Sequence, residues 1–189
     1  MPATMTANTS NDDKEKKKTV LLIGARGFVG SQVLDAVLRK NKYHVKALIR
    51  PTSKFTKENV EIVRGDMMDK QSLIDACNDG VDVVINTANG YSTGHPEIDT
   101  VGANNVADAV KIAGVKRYIY CSVQTADKAT MVEHFHNKKL AEDYMEEQGI
   151  PFIALRPGAF IDQATDFLGM MFLYLLSFWF DFLYCLLFL

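Results

Sequence analysis

Three glycines in Gly24–Gly30 follow an apolar, β-branched run, Thr19–Ile23, and lead into the helical spacing of Ser31–Lys40. Glycines at such a junction let the backbone turn sharply and approach a phosphate, and the start of a helix offers N–H groups with a partial positive charge. The strand and helix around the glycines, more than the glycines themselves, predict a loop that binds a pyrophosphate. A plain strand-to-helix turn is the alternative. The predicted contacts are Gly24, Arg26, Gly27, Phe28, Val29 and Gly30.

Basic side chains stand where a dinucleotide-binding protein selects its cofactor. In the NAD pattern, an acidic residue about twenty positions past the glycines holds the ribose hydroxyls. Here the second predicted strand ends in Arg50, with Lys54 four residues on. A guanidinium suits a 2′-phosphate in charge and geometry, and Arg26 could reach the same group. These cations favour NADP(H) over NAD(H), unless Arg50 and Lys54 are ordinary solvated charges.

Small and polar residues follow the next three predicted strands, and ligands of open α/β sheets bind at that carboxyl edge. Asp66 could accept a hydrogen bond from an adenine amine with Met67 beside the ring, or could be a turn aspartate. Thr87 and Ala88 would let a cofactor lie across the strand ends, and Ser122 stands on the same rim. We therefore predict a cofactor contact for each of these residues.

His134, Lys138 and Glu142 are spaced four residues apart, so they lie along one face of a helix. A lysine or histidine beside a nicotinamide could transfer protons, which makes Lys138 and His134 the catalytic hypotheses. The alternative is a row of surface charges in which Lys138 and Glu142 form an ordinary helix pair.

These candidates need a framework of alternating strands and helices, and the chain predicts one: a doubly wound parallel α/β sheet covered on both faces. The predicted strands are Thr19–Ile23, His44–Arg50, Val60–Val63, Val81–Asn86, Arg117–Cys121 and Phe152–Leu155. The predicted helices are about Phe28–Lys40, Gln71–Cys77, Thr100–Ala113 and Met131–Gln148.

Composition excludes several classes of protein. The 189 residues are 48% hydrophobic, enough for the core of one ordinary domain. A formal charge of −2 gives no electrostatic reason to expect a nucleic-acid partner. The three cysteines have neither metal-ligand nor disulfide spacing, which predicts no metal site and favours a reducing, cytoplasmic location.

Five motifs together resemble the NmrA-like branch of the atypical short-chain dehydrogenases/reductases, over about Lys18 to Ile161. The resemblance implies a Rossmann fold that binds NAD(P), usually NADPH. It also implies either a reductase of a small metabolite or a redox-sensing regulator without turnover. The motifs are Gly24–Gly30, Arg64–Asp66, Gly114–Tyr118, His134–Lys138 and Leu155–Phe160.

The resemblance also assigns roles. It implies that Lys138 holds the nicotinamide ribose and that the backbone of Pro157 and Gly158 lies near the carboxamide, although these two could simply end a strand. The family's Tyr-x-x-x-Lys motif lacks its tyrosine here, because His134 stands four residues before Lys138 and Phe135 stands four residues before Lys139. Three functions follow: an NADP(H)-dependent reductase-like oxidoreductase acting on an unknown small molecule, an NAD(P)H-sensing regulator with a protein partner, or an inactive membrane-tethered fragment.

The two ends differ from the middle. We predict a polar, disordered arm over residues 1–17, the NAD(P)-binding domain over 18–163 and a hydrophobic segment over 164–189 that truncates or replaces the substrate region. Phe167–Leu189 exceeds the roughly 20 residues of a membrane span, and its apolar residues outweigh the roughly 2.5–3.5 kcal/mol cost of Asp181. The segment is therefore a candidate transmembrane helix that anchors a cytoplasmic domain; an aberrant end or packing on the sheet are the alternatives.

Overall fold

The computed structural model describes residues 17–128 and 131–158, except for the side chain of Ser92. The predictions for residues 1–16 and 159–189, including the membrane anchor, lie outside these ranges. The strands are β1 Lys18–Ile23, β2 Tyr43–Ile49, β3 Glu61–Arg64, β4 Val83–Asn86, β5 Arg117–Cys121 and β6 Phe152–Leu155. The α-helices are α1 Phe28–Arg39, α2 Lys70–Asn78, α3 Val101–Ile112 and α4 Glu133–Glu147, with short 3₁₀ helices at Tyr91–Thr93 and Pro96–Ile98.

All strand pairs are parallel, in the order β3-β2-β1-β4-β5-β6, which confirms the predicted doubly wound Rossmann fold. The order reverses between β1 and β4, so the loops after these two strands diverge and leave a crevice at the carboxyl edge. The predicted glycine loop, Gly24–Gly30, follows β1 and therefore opens into that crevice.

The sheet carries a hydrophobic cluster on each face. The larger cluster packs α2, α3 and α4 on one face, around Leu21, Val84 and Tyr118. On the other face α1 covers β1 and β2 through Leu34 and Leu22. The strand register places Leu22, Ile85, Ile119 and Ile153 side by side on this second face.

The second face is poorly covered at the β6 end of the sheet. Ile153 and Leu155 remain 53% and 54% exposed, because no described element packs over them. Phe152 and Ala154 on the opposite face of β6 are half-buried, whereas both faces of a parallel sheet are normally covered.

The predicted boundaries differ from the observed ones by one or two residues at most ends. β4 begins at Val83 rather than Val81, since Val81 is a buried residue of the preceding loop that extends the apolar run. The α4 helix begins at Glu133, after exposed Met131. The two 3₁₀ helices between β4 and α3 were not predicted, because turns this short have no hydrophobic period.

Two negative findings apply to the described ranges. No helix there is both long and apolar enough to cross a bilayer. Nor do three or more His, Cys, Asp or Glu side chains converge there as metal ligands.

Candidate functional site

The loop from Gly24 to Gly30 forms a tight turn at the carboxyl end of β1. Gly24 has a φ of +84°, a conformation that side chains rarely allow, and its carbonyl accepts a 2.9 Å hydrogen bond from the N–H of Gly27. The Oγ1 of Thr87 donates to the carbonyl of Ile23 at 2.9 Å, which fixes the start of the loop against the end of β4. The two strands at the crevice are thereby tied together.

The last two glycines have different surroundings. A Cβ placed on Gly30 would lie 2.0 Å from the carbonyl oxygen of Gly24, so α1 can pack this closely only with glycine there. A Cβ on Gly27 would meet just one atom, that same oxygen, at 3.3 Å. Gly27 is the N-cap of α1 and provides no side-chain cap. A helix start without a side-chain cap suits an anionic ligand, because the first-turn N–H groups lack partners within the helix.

The predicted cations Arg26 and Arg50 are exposed at this edge. The loop after β2 is anchored by Arg64, whose guanidinium donates to the carbonyls of Arg50 at 3.2 Å and Ser53 at 2.7 Å. Arg64 ends the neighbouring strand, so β3 holds the loop that carries Arg50. Sequence reasoning did not assign this role to Arg64.

Asp66 and Met67, the two residues predicted to contact the adenine, already make contacts within the protein. The Oδ1 of Asp66 accepts a 3.0 Å hydrogen bond from the N–H of Met68, in the manner of a turn aspartate. Met67 is buried against Gly102 of α3, and its neighbour Met68 is 45% exposed. The second carboxylate oxygen of Asp66 makes none of the hydrogen bonds described here.

The remaining rim residues lie together beyond β4, β5 and β6. The N–H of Ser122 donates to Leu155 at 2.8 Å, while its hydroxyl is buried without a hydrogen-bond partner among the described residues. Pro157 accepts a 2.8 Å hydrogen bond from the N–H of Gln124, which ties the ends of β5 and β6. A Cβ on Gly158 would lie 2.7 Å from the Oε1 of the same glutamine. An orphaned hydroxyl at this edge is a polar group available to a ligand.

Lys138 is buried on the inner face of α4 and reaches the end of β4. Its Nζ lies 2.8 Å from the Oδ1 of Asp99 and donates to the carbonyl of Ala88 at 3.0 Å. The ammonium also lies 5.0 Å from the centre of the Tyr120 ring. The side chains of Lys138 and Asp99 are only 4% and 2% exposed, so the pair is shielded from solvent.

Asp99 joins three parts of the site. Its Oδ2 accepts a 3.0 Å hydrogen bond from the N–H of Gly90 and lies 3.6 Å from the Nδ1 of His134. Burial alone would raise the pKa of Asp99, but the interaction with His134 and the positive charge of Lys138 outweigh it and hold that pKa below its usual range. The carboxylate is therefore ionised at neutral pH.

His134 lies on the same face of α4 as Lys138 and Glu142. The Tyr91 ring stacks on it, with 5.0 Å between centroids and an angle of 27°. The nearby phenol of Tyr120 is no substitute for the lost tyrosine, since burial raises the pKa of Tyr120 well above its usual range.

The interpretation of His134, Lys138 and Glu142 as surface charges is wrong. Both Lys138 and Glu142 are buried, and they do not pair with each other. Glu142 instead accepts two hydrogen bonds from the guanidinium of Arg156, one of 3.0 Å from Nε and a second from Nη2. The face of α4 that carries these side chains is therefore turned toward the sheet.

Asp99 is the site residue that sequence reasoning missed. Asp99 follows the second 3₁₀ helix, and no motif surrounds it. The N–H of Gly90 donates to the Asp99 carboxylate, and a Cβ on Gly90 would lie 2.0 Å from the carbonyl oxygen of His95. Gly90, at the end of the small-residue segment that follows β4, was the one signal in the sequence.

A second concave region lies at the opposite, amino edge of the sheet. This cleft of about 800 Å³ is lined by Lys17, Asn41, His44 and Glu61, among others. None of the predicted site residues lines it. We place the candidate site at the carboxyl edge, where the glycine loop and the buried lysine pair lie.

Comparison with known proteins gives consistent results. The NmrA-like family profile matches residues 16–172. The chain is 29% identical over 140 residues to photosystem II assembly factor Ycf39 of Cyanophora paradoxa, covering 71% of this chain and 43% of Ycf39. It is 31% identical over 172 residues to bifunctional pinoresinol-lariciresinol reductase 2 of Linum usitatissimum, covering 81% of this chain and 50% of the reductase.

Among solved structures, the Bordetella bronchiseptica enzyme WbmH in complex with NAD⁺ superposes with a TM-score of 0.62 at 22% identity. That match covers 74% of this chain and 55% of WbmH and shows a shared fold. The chain thus spans about half the length of these three proteins.

Proposed function

Because this chain belongs to the NmrA-like family of NAD(P)-binding proteins, we propose that it is an NADP(H)-dependent, reductase-like oxidoreductase acting on a small molecule. The observation that carries the proposal is the glycine loop at the crevice between β1 and β4. Its middle glycine, Gly27, begins a helix without a side-chain cap and has room for a ligand beside it. A pyrophosphate suits such a site in charge and in the close approach that it allows.

Residues of both halves would hold the cofactor. Gly24, Gly27 and Gly30 would shape the pyrophosphate site, and Arg26 and Arg50 would pair with the 2′-phosphate. The cofactor, when bound, supplies a hydride to the substrate.

Lys138, whose ammonium is ion-paired with Asp99 and donates to the carbonyl of Ala88, would also donate to the nicotinamide ribose. Ser122, whose hydroxyl is buried and unpaired, would complete this part of the site. Thr87, Ala88 and the backbone of Pro157 and Gly158 would form its rim.

An NAD(P)H-sensing regulatory protein is the second candidate function. One observation favours it: His134 replaces the phenol that short-chain dehydrogenases use for proton transfer. A regulator needs the cofactor site but no proton donor.

Direct titration with NADPH and NADH tests cofactor choice. Arg50→Ala and Arg26→Ala should each weaken NADPH binding about 10- to 100-fold and leave NADH nearly unchanged, because a charged hydrogen bond contributes about 1.5–3 kcal/mol. Arg117→Ala is the matched control, since Arg117 is an exposed arginine at the amino end of β5. Equal affinity for the two cofactors, unaffected by Arg50→Ala, would remove the NADP preference.

Turnover separates the two candidate functions. A reductase should oxidise NADPH steadily with some member of a panel of quinones and carbonyl compounds, whereas a regulator should bind NADPH and oxidise none. The membrane-anchor prediction for residues 164–189 is tested separately by carbonate extraction of membranes, and release of the full chain would contradict it.

A further inference from the structure

The buried carboxylate of Asp99 sits between the lysine and the histidine of α4. Asp99 lies at the start of the loop into α3, and it contacts the loop after β4 through Gly90. A buried charge persists only when it is paired, and here Lys138 pairs with one of the carboxylate oxygens. The second oxygen faces the Nδ1 of His134.

We propose that His134 and Asp99 form an acid–base dyad in which His134 donates the proton that completes reduction of a substrate carbonyl. In this dyad Asp99 is the positioning residue of His134. The inference rests on the proposed reductase function and assigns its missing proton donor.

The surroundings of the imidazole determine which nitrogen reacts. Nδ1 of His134 is buried and has no hydrogen-bond partner in the described part of the chain, while the Oδ2 of Asp99 lies 3.6 Å away. A movement of a few tenths of an ångström would close this gap to a hydrogen bond. A carboxylate at Nδ1 favours the tautomer protonated there, which leaves Nε2 to exchange protons with a ligand.

Two further contacts hold the ring in place. Tyr91 stacks on one side of the imidazole, and the Phe135 ring lies 5.7 Å from it at an angle of 55°. Since 13% of the His134 side chain is exposed, a ligand at the carboxyl edge could reach the ring.

The proposed step balances. NADPH transfers a hydride to the carbonyl carbon, the C=O π bond breaks, and the oxygen takes the Nε2 proton of the His134 imidazolium. The products are an alcohol, NADP⁺ and neutral His134, which regains its proton from solvent. The carboxylate that faces the ring, Asp99, is itself paired with the ammonium of Lys138.

The first test is the tautomer of His134 in the full chain, read from long-range ¹H–¹⁵N spectra. The protein has four histidines, so each can be assigned by substitution. Neutral His134 should carry its proton on Nδ1, and Asp99→Asn should move the proton to Nε2. Glu61→Gln is the matched control, because Glu61 lies 2.7 Å from the Nε2 of His44 at the opposite edge and should change only the His44 signals.

The second test is kinetic, with NADPH and 4-nitrobenzaldehyde as the probe. His134→Gln should lower kcat about 100-fold or more with the Kd for NADPH unchanged, since general acid catalysis contributes about 10²–10⁴. Asp99→Glu should recover more activity than Asp99→Asn. His44→Gln, at an exposed histidine on the opposite edge of the sheet, should behave as the wild type.

The outcomes distinguish the two proposals. A wild-type chain that fails to bind NADPH overturns the proposed function, whatever the tautomer. A chain that binds NADPH overturns the dyad in any of three cases: neutral His134 is protonated on Nε2, His134→Gln keeps wild-type kcat, or the aldehyde stays unreduced.

Discussion

The candidate site has two ends that consist of different kinds of chemical group. The glycine end, Gly24–Gly30 with Thr87, consists of backbone and small uncharged side chains. The lysine end, formed by Asp99, His134 and Lys138, consists of ionisable side chains, and the Asp99–Lys138 pair is shielded from water. The structure of the glycine end depends on the lack of side-chain atoms at its glycines, and that of the lysine end depends on the pairing of opposite charges. Substitutions at the two ends should therefore fail in different ways.

The largest effect is expected at the third glycine. Gly30→Ser would place a Cβ 2.0 Å from a backbone carbonyl that cannot move aside, so unfolding free energy should fall by on the order of 4 kcal/mol or more. Urea unfolding or loss of soluble expression measures this. A stable Gly30→Ser protein would show that the glycine end tolerates bulk.

Asp99→Asn should be next in size. The amide keeps an acceptor for the N–H of Gly90 but leaves Lys138 buried without a counter-charge, at a cost of about 3–5 kcal/mol. Adding Lys138→Met should restore most of the lost free energy of unfolding, because an apolar replacement removes the orphaned charge. A double variant no more stable than Asp99→Asn would contradict a charge-based lysine end.

The pH dependence sharpens the same contrast. The pKa of Asp99 is lowered in the folded chain, so its contribution to stability is complete above its ordinary value of 3.8 and is lost as pH falls through the lower folded value. The stability deficit of Asp99→Asn should therefore shrink in acid. The deficit caused by Gly30→Ala, which involves no ionisable group, should stay constant over the same range. Urea titrations from pH 7 to pH 3 measure both.

At the middle glycine, binding and stability should separate. Gly27→Ser supplies a favourable N-cap for α1 and meets only one atom, at 3.3 Å, so the fold should be unchanged or slightly stabilised. The new side chain occupies space that a pyrophosphate needs, which should weaken NADPH binding about tenfold or more. Undiminished binding would mean that the phosphates lie elsewhere.

The smallest predicted effect concerns the loop after β2. Arg64→Met removes two hydrogen bonds to the carbonyls of Arg50 and Ser53, worth about 1 kcal/mol in holding Arg50 in place. NADPH affinity should fall about fivefold, with little change for NADH. An equal loss for both cofactors would indicate a general loosening of the edge.

The two ends also differed in how far sequence could predict them. The six strands and the glycine loop were predicted because apolar runs, glycines and helix periods are local signals. The burial of Lys138 was left open, since α4 carries charged residues on several faces and its spacing fits a surface row as well as a buried one. Asp99 was missed because no local pattern in the sequence marks it. Its partners lie 9 and 39 positions along the chain, and only the fold brings them together.

The bare end of the second sheet face has a practical consequence for handling the protein. The apolar side chains of Ile153 and Leu155 are exposed on β6. Within the described ranges β6 is an edge strand, with a neighbouring strand on one side only. Exposed apolar edge strands of this kind pair between molecules in concentrated solution, which leads to aggregation. Leu155→Lys should therefore reduce aggregation during purification more than any substitution in the candidate site.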